Sequence, residues 1–176
     1  GSLRALSGIK FNGTAKINSK FEYGEILFTD YGISGPPVIQ LSRMAALSIL
    51  KGETPCIEID MMPEISSSEL KDFLENHFGT FSYRSVFNSM IGIVNKKLIP
   101  VLLKEAGITD IHKQCAQLTK NEKSSLLKLL KCWKFEVYDT NSFSNAQVTA
   151  GGVDTREVSR ETLQSKINPN LYFAGE

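Results

Sequence analysis

The chain has 176 residues, 41% of them hydrophobic, and a formal net charge of +1. That is enough apolar material for one domain or two small ones. The near-neutral balance excludes a global pull toward nucleic acid or an anionic membrane, and no apolar run nears the ~20 residues that span a bilayer.

Residues 3–61 read mainly as strands. Gly1-Ser2 ahead of Leu3 looks like a cloning remnant and is left out of the fold reasoning. Ile9, Phe11, Gly13, Ala15 and Ile17 alternate with polar neighbours, the period of a half-buried strand. Asn12-Gly13 is a turn pair, so a hairpin there is an alternative to one long strand. Phe21 to Thr29 predicts a second strand with a possible bulge at Gly24. Val38, Leu41, Ala45, Leu47 and Leu50 have helical spacing, with Gly52 just beyond. Ile57, Ile59 and Met61 predict a third strand.

Residues 63–132 read as helical. Ser66 and Glu69 form a capping box for a helix carrying Leu70, Phe73, Leu74 and His77. Val86 to Ile93 predicts a second helix. Leu98 to Ala106 predicts a third, with Pro100 in its first turn. Thr119 and Glu122 form another capping box ahead of Leu126, Leu127, Leu129 and Leu130.

Strand character returns at Trp133, Phe135 and Val137. A polar loop from Asp139 to Asn145 leads to Val148-Thr149-Ala150 and then Gly151-Gly152-Val153. The order strands, helices, strands, with alternating rather than wholly apolar strands, predicts an α+β fold: an antiparallel β-barrel-like domain with an inserted α-helical subdomain. The expected boundaries are 3–62 and 133–155 for the barrel-like part, 63–132 for the helical insert, and 156–176 for a further segment. The final run, Leu171 to Ala174 and then Gly175-Glu176, reads as a buried strand reaching a ligand, and the chain as a piece of a longer protein.

Several chemistries find no support. There is no G-x-G, hence neither a dinucleotide fingerprint nor a Walker A loop. His77 and His112 lack partners at metal spacing, so no metal site is expected. Cys56, Cys115 and Cys132 are odd in number without C-x-x-C spacing, which suggests free thiols and a cytoplasmic protein. No G-x-S-x-G elbow is present, and no residue stands out as acid, base or nucleophile. Ser34, in Gly32-Ile33-Ser34-Gly35-Pro36-Pro37, reads either as a helix N-cap or as part of a stiff loop whose free amides meet an anionic or carbonyl group. Lys113 to Lys134 holds six lysines against Glu122, the one segment that suggests nucleic acid. It lacks interleaved aromatics and arginine, which argues for a solvated helix face.

Three segments together resemble one family: Gly24-Glu25-Ile26-Leu27-Phe28-Thr29-Asp30-Tyr31-Gly32-Ile33-Ser34-Gly35-Pro36, then Val148-Thr149-Ala150-Gly151-Gly152-Val153, then Leu171-Tyr172-Phe173-Ala174-Gly175-Glu176. They resemble the HI0933-like (BaiN-type) FAD-dependent oxidoreductases, in family order across nearly the whole chain. The resemblance implies a parent enzyme whose FAD domain is split by an insertion with a barrel-like and a helical part. This chain would be that insertion plus the strand returning to the FAD domain, shaping substrate access to the flavin. Thr149, Ala150, Gly151, Gly152, Gly175 and Glu176 would face FAD in the parent, Glu176 through the ribityl chain, and Ser34, Gly35 and Pro36 would lie on the substrate side. The parent would use NAD(P)H. The chain alone, lacking the glycine fingerprint, would be inactive and hold no FAD; its partner would be the parent's own FAD-binding domain. The alternative is a module that binds nucleic acid or protein through the Lys113–Lys134 face, and the missing arginines count against nucleic acid.

Overall fold

The computed structural model describes residues 3–142, 144 and 151–175. The chain divides into two compact units, Gly1–Thr140 and Asn141–Glu176. The first is an α+β arrangement, a curled antiparallel sheet with helices. A short 3-10 turn, Leu3–Leu6, leads into β1 (Lys10–Ile17) and β2 (Lys20–Phe28). The brief β3 (Ile33–Ser34) precedes α1 (Pro36–Leu50) and β4 (Cys56–Asp60). Then come α2 (Ser67–Thr80), α3 (Val86–Met90), α4 (Ile99–Glu105), α5 (Lys120–Lys131) and β5 (Trp133–Glu136). The strand order is β3-β2-β1-β4-β5, with every pairing antiparallel. The helices α2 to α5 therefore enter the chain between two strands that lie side by side.

The curl follows from the core. Phe28 on β2 and Trp133 and Phe135 on β5 lie three strand spacings apart in the sheet order, roughly 14 Å if the sheet were flat. Their ring centroids are 5.7 and 6.1 Å apart, so the sheet folds back on itself as a half-barrel. Phe11 joins them at 5.9 Å from Phe28. Ala15, Ile17, Ile26, Ile57 and Ile59 continue the buried face, and Leu70, Leu74, Phe78, Leu102, Leu126 and Leu130 extend it into the helices.

Glycine makes close approach possible at Gly13, buried in β1. A Cβ there would stand 2.6 Å from the Asp60 carbonyl oxygen of β4. The Asn12-Gly13 hairpin does not form. The register runs unbroken through Gly13 opposite Gly24, and the chain turns at Asn18-Ser19, with Asn18 at φ 54°. Gly24 makes no bulge either; it leaves room for the Pro37 ring of α1.

Both predicted capping boxes form. The Ser66 hydroxyl accepts from the Glu69 amide, and the Ser66 amide donates to the Glu69 carboxylate at 2.8 Å. Thr119 and Glu122 repeat the arrangement at α5. The predicted second helix is shorter than read, ending at Met90, because Gly92 at φ 93° breaks it. Lys131, which sequence reasoning left on a solvated face, joins the two parts. Its ammonium pairs with Asp60 at 2.7 Å and donates to the Met62 and Ile65 carbonyls at 2.9 and 2.8 Å. No helix among the described residues is long and apolar enough to cross a membrane.

The second unit is of another kind. Its described elements include the 3-10 turn Thr155–Glu157 and the isolated bridges Val158–Ser165 and Gln164–Tyr172. None of its described residues is buried. β5 ends at Glu136, and residues 151–155, expected with the barrel, belong to this unit. The run Leu171–Ala174, expected as a buried strand, makes one bridge and a Phe173 amide bond to the Leu163 carbonyl. Leu171 and Tyr172 are 43% and 62% exposed, and among the described residues of this unit no sheet receives them.

Candidate functional site

The Ser34-Gly35-Pro36 loop sits where β3 hands over to α1. Ser34 pairs with Leu27 across the sheet edge, and its hydroxyl does not cap the helix. The N-cap is Gly35, at φ 107°, whose Cα lies so close to β2 that a Cβ would stand 2.2 Å from the Glu25 carbonyl oxygen. The expected cradle of free amides is small. The first helical positions are Pro36 and Pro37, which have no N–H, and the Ile39 amide already bonds the Gly35 carbonyl. Val38 is the remaining donor of the first turn. That limit was readable in the sequence, since two adjacent prolines remove two donors wherever the helix begins. What the loop offers is shape: a fixed, partly exposed rim closed on one side by the buried Pro37.

Gly151 and Gly152, at φ 118° and 121°, and Gly175, at φ 125°, lie in the second unit. A Cβ at any of them would meet nothing within 4 Å, so packing within the unit does not require glycine there. What does require it is backbone conformation, and the result is exposed main chain with no side chain over it. Asp154, directly after, caps the 3-10 turn and holds Arg156 through paired hydrogen bonds of 3.1 and 2.6 Å. Thr149, Ala150 and Glu176 lie outside the described residues, as does the predicted strand Val148–Ala150.

The histidines and cysteines have structural surroundings. His77 packs among Phe73, Phe78 and Phe81, and one ring nitrogen lies 2.7 Å from the Ser89 carbonyl. His112 is exposed beside Phe87. Among the described residues no cluster of His, Cys, Asp and Glu could hold a metal ion. All three cysteines are free. Burial, followed by the nearby Glu58 carboxylate, pushes the Cys132 thiol up, away from nucleophilic use.

The structure divides the lysines of the 113–134 segment. Lys113 pairs with Glu122 at 2.5 Å, Lys131 with Asp60, and Lys134 with Glu58 at 2.9 Å. The Lys134 hydrogen bond holds the Glu58 carboxyl below the usual carboxylate range. At Glu122 burial pushes the pKa up, but bonds from Lys113 and Thr119 outweigh it and the net shift is down. The basic face read from the sequence is thus partly neutralised. What sequence reasoning missed is a groove of about 660 Å³ between α2 and α5, reached by Lys71, Lys120 and Lys123.

A curled antiparallel half-barrel with helices threaded between adjacent strands defines the class. The chain belongs to the HI0933-like family, its residues 2–148 matching the HI0933-like protein barrel and H2TH domain. Among curated proteins it is similar to the 3-dehydro-bile acid delta(4,6)-reductase of Clostridium scindens, 37% identical over 153 residues, 87% of this chain and 37% of that one. It is also similar to the ribosomal RNA dihydrouridine synthases of Haemophilus influenzae and Escherichia coli, 30% and 29% identical over 99% of this chain and 41% of each of theirs. The chain thus spans about two fifths of the length of these relatives.

Proposed function

We propose that this chain is the insert of a FAD-dependent, NAD(P)H-using cytoplasmic oxidoreductase that adds hydrogen across a carbon–carbon double bond. The observation that carries this reading is a shared chemistry in the relatives' names. A delta(4,6)-reductase and a dihydrouridine synthase both saturate a conjugated C=C bond, and both match this chain over most of its length. The span of 37–41% of those relatives supports reading it as one part of a larger enzyme, partnered by that enzyme's FAD-binding domain.

In this reading the flavin supplies the hydride chemistry and the chain's own residues shape access to it. The bare backbone at Gly151, Gly152 and Gly175 receives the cofactor, with Thr149, Ala150 and Glu176 beside it. The Ser34-Gly35-Pro36 loop forms a wall on the substrate side. No residue of this chain is given a catalytic role, and the chain alone neither holds FAD nor turns over.

The test is to purify the full-length protein and record its flavin absorbance, with and without added FAD, beside Gly152→Val. The expected result is a yellow protein that oxidises NAD(P)H and loses flavin occupancy on substitution. A colourless full-length protein that takes up no FAD would overturn the reading.

A further inference from the structure

Helix α1 is apolar on two opposite sides. Pro37, Leu41 and Ala45 are buried, with the Pro37 ring against Gly24 of β2. On the far side Ile39, Arg43, Ala46, Leu47 and Leu50 recur at helical spacing and make a second stripe. Ile39, Leu47 and Leu50 are 50%, 48% and 83% exposed, and Arg43 is the one charged residue of the helix. From Ile39 to Leu50 the stripe runs about 16 Å, at ~1.5 Å per residue. Among the described residues Arg43 has no acid at ion-pair distance. Helix α5 shows how a solvated face of the same unit is built: its exposed positions are Lys120, Asn121, Ser124 and Lys128. A helix that turns aliphatic side chains both ways is suited to lie between two bodies, and the sheet supplies only one of them.

We propose that the outward stripe of α1 docks on the FAD-binding domain of the full-length protein, against an apolar surface that carries a carboxylate for Arg43. The identity of that partner rests on the reductase reading. Three observations choose it. About three fifths of each relative lies outside the span it shares with this chain, enough for a second body. The helix opens at Pro36, the end of the Ser34-Gly35-Pro36 loop read as the substrate-side wall, and Ile39 follows within one helical turn. A domain holding flavin beside that loop therefore reaches the stripe at once. Finally, α1 contains no acid, so a second copy laid stripe to stripe would bury both Arg43 guanidinium groups without a carboxylate, which is costly. An arginine set among apolar anchors suits an interface once an acid of the partner meets it.

The experiment uses the full-length protein carrying Leu47→Cys or Leu50→Cys, labelled with a maleimide over time. Tyr83→Cys, at a position 66% exposed on another face, is the control, and the parent's own cysteines set the background. Both stripe positions should label about tenfold or more slowly than the control, because they react only when the two domains part. Adding Arg43→Glu should bring the Leu50→Cys rate toward the control, since it sets an acid against the partner's acid. Equal rates at the stripe and at Tyr83→Cys overturn the proposal. So does protection that falls on dilution while sedimentation shows a dimer, which assigns the stripe to a second copy. Flavin absorbance of the same preparations separates the two readings. A yellow parent whose Leu50→Cys labels as fast as the control sinks the docking assignment alone. A colourless parent sinks the reductase reading, and with it the FAD-binding domain as the occupant.

Discussion

The two units differ in what holds them. The first has Phe28 fully buried against Phe11, Trp133 and Phe135, and a continuous apolar core running from sheet to helices. The second has no buried residue among those described and rests on turns, two bridges and surface pairs such as Asp154–Arg156. Both carry comparable glycine signals, yet the glycines mean different things. Gly13 and Gly35 are required by backbone packed against them, whereas Gly151 and Gly152 face open space. Close packing explains glycine in the first unit; conformation and access explain it in the second.

The largest effect that would sharpen this contrast is at Phe28. Phe28→Ala should cost about 3–5 kcal/mol in denaturant unfolding followed by Trp133 fluorescence, because it empties the centre of the aromatic cluster. Leu171→Ala in the second unit should stay within about 0.5 kcal/mol. Equal costs at the two positions would break the comparison.

A smaller effect is expected at Lys131→Met, about 2 kcal/mol, since it removes three acceptor contacts of a charged group and strands Asp60. If the helical part unfolded separately from the sheet in that variant, Lys131 would be established as the joint between them.

The smallest effect is in pH dependence. Glu58 and Glu122 in the first unit both sit below their ordinary values in the folded state. A lowered folded pKa contributes stability above the unfolded value, and that contribution is lost as pH falls through the folded one. Unfolding midpoints should therefore hold near neutrality and decline in the acid range below ordinary carboxylate values. Glu122→Gln should flatten the decline. An unchanged slope would mean that the Lys113 pair contributes nothing measurable.

Much of the fold was legible because its signals are local. Period-two alternation marked β1 and β4, the Ser66–Glu69 and Thr119–Glu122 boxes opened α2 and α5, and the order of zones pointed to helices inserted in an antiparallel sheet. Of the two readings left open at Asn12-Gly13, the unbroken strand holds; the turn falls at Asn18-Ser19, which carried no comparable turn pair and is set by the register of β1 against β2. Of the candidate site, the Ser34 loop and the paired glycines were visible as residues, but not their surroundings.

The sequence by itself determined the type of the elements in the first unit, the capping-box starts of α2 and α5 and family membership, since each rests on neighbours in the chain or on motifs read in order. Only the tertiary structure decided which charges were free. Lys131 and Lys134 found Asp60 and Glu58, residues some seventy positions away, and so left the basic segment. Lys120 and Lys123 instead met Lys71 across a groove that no linear spacing records. Charge is written in the sequence, but whether it is compensated depends on which strands and helices pack together.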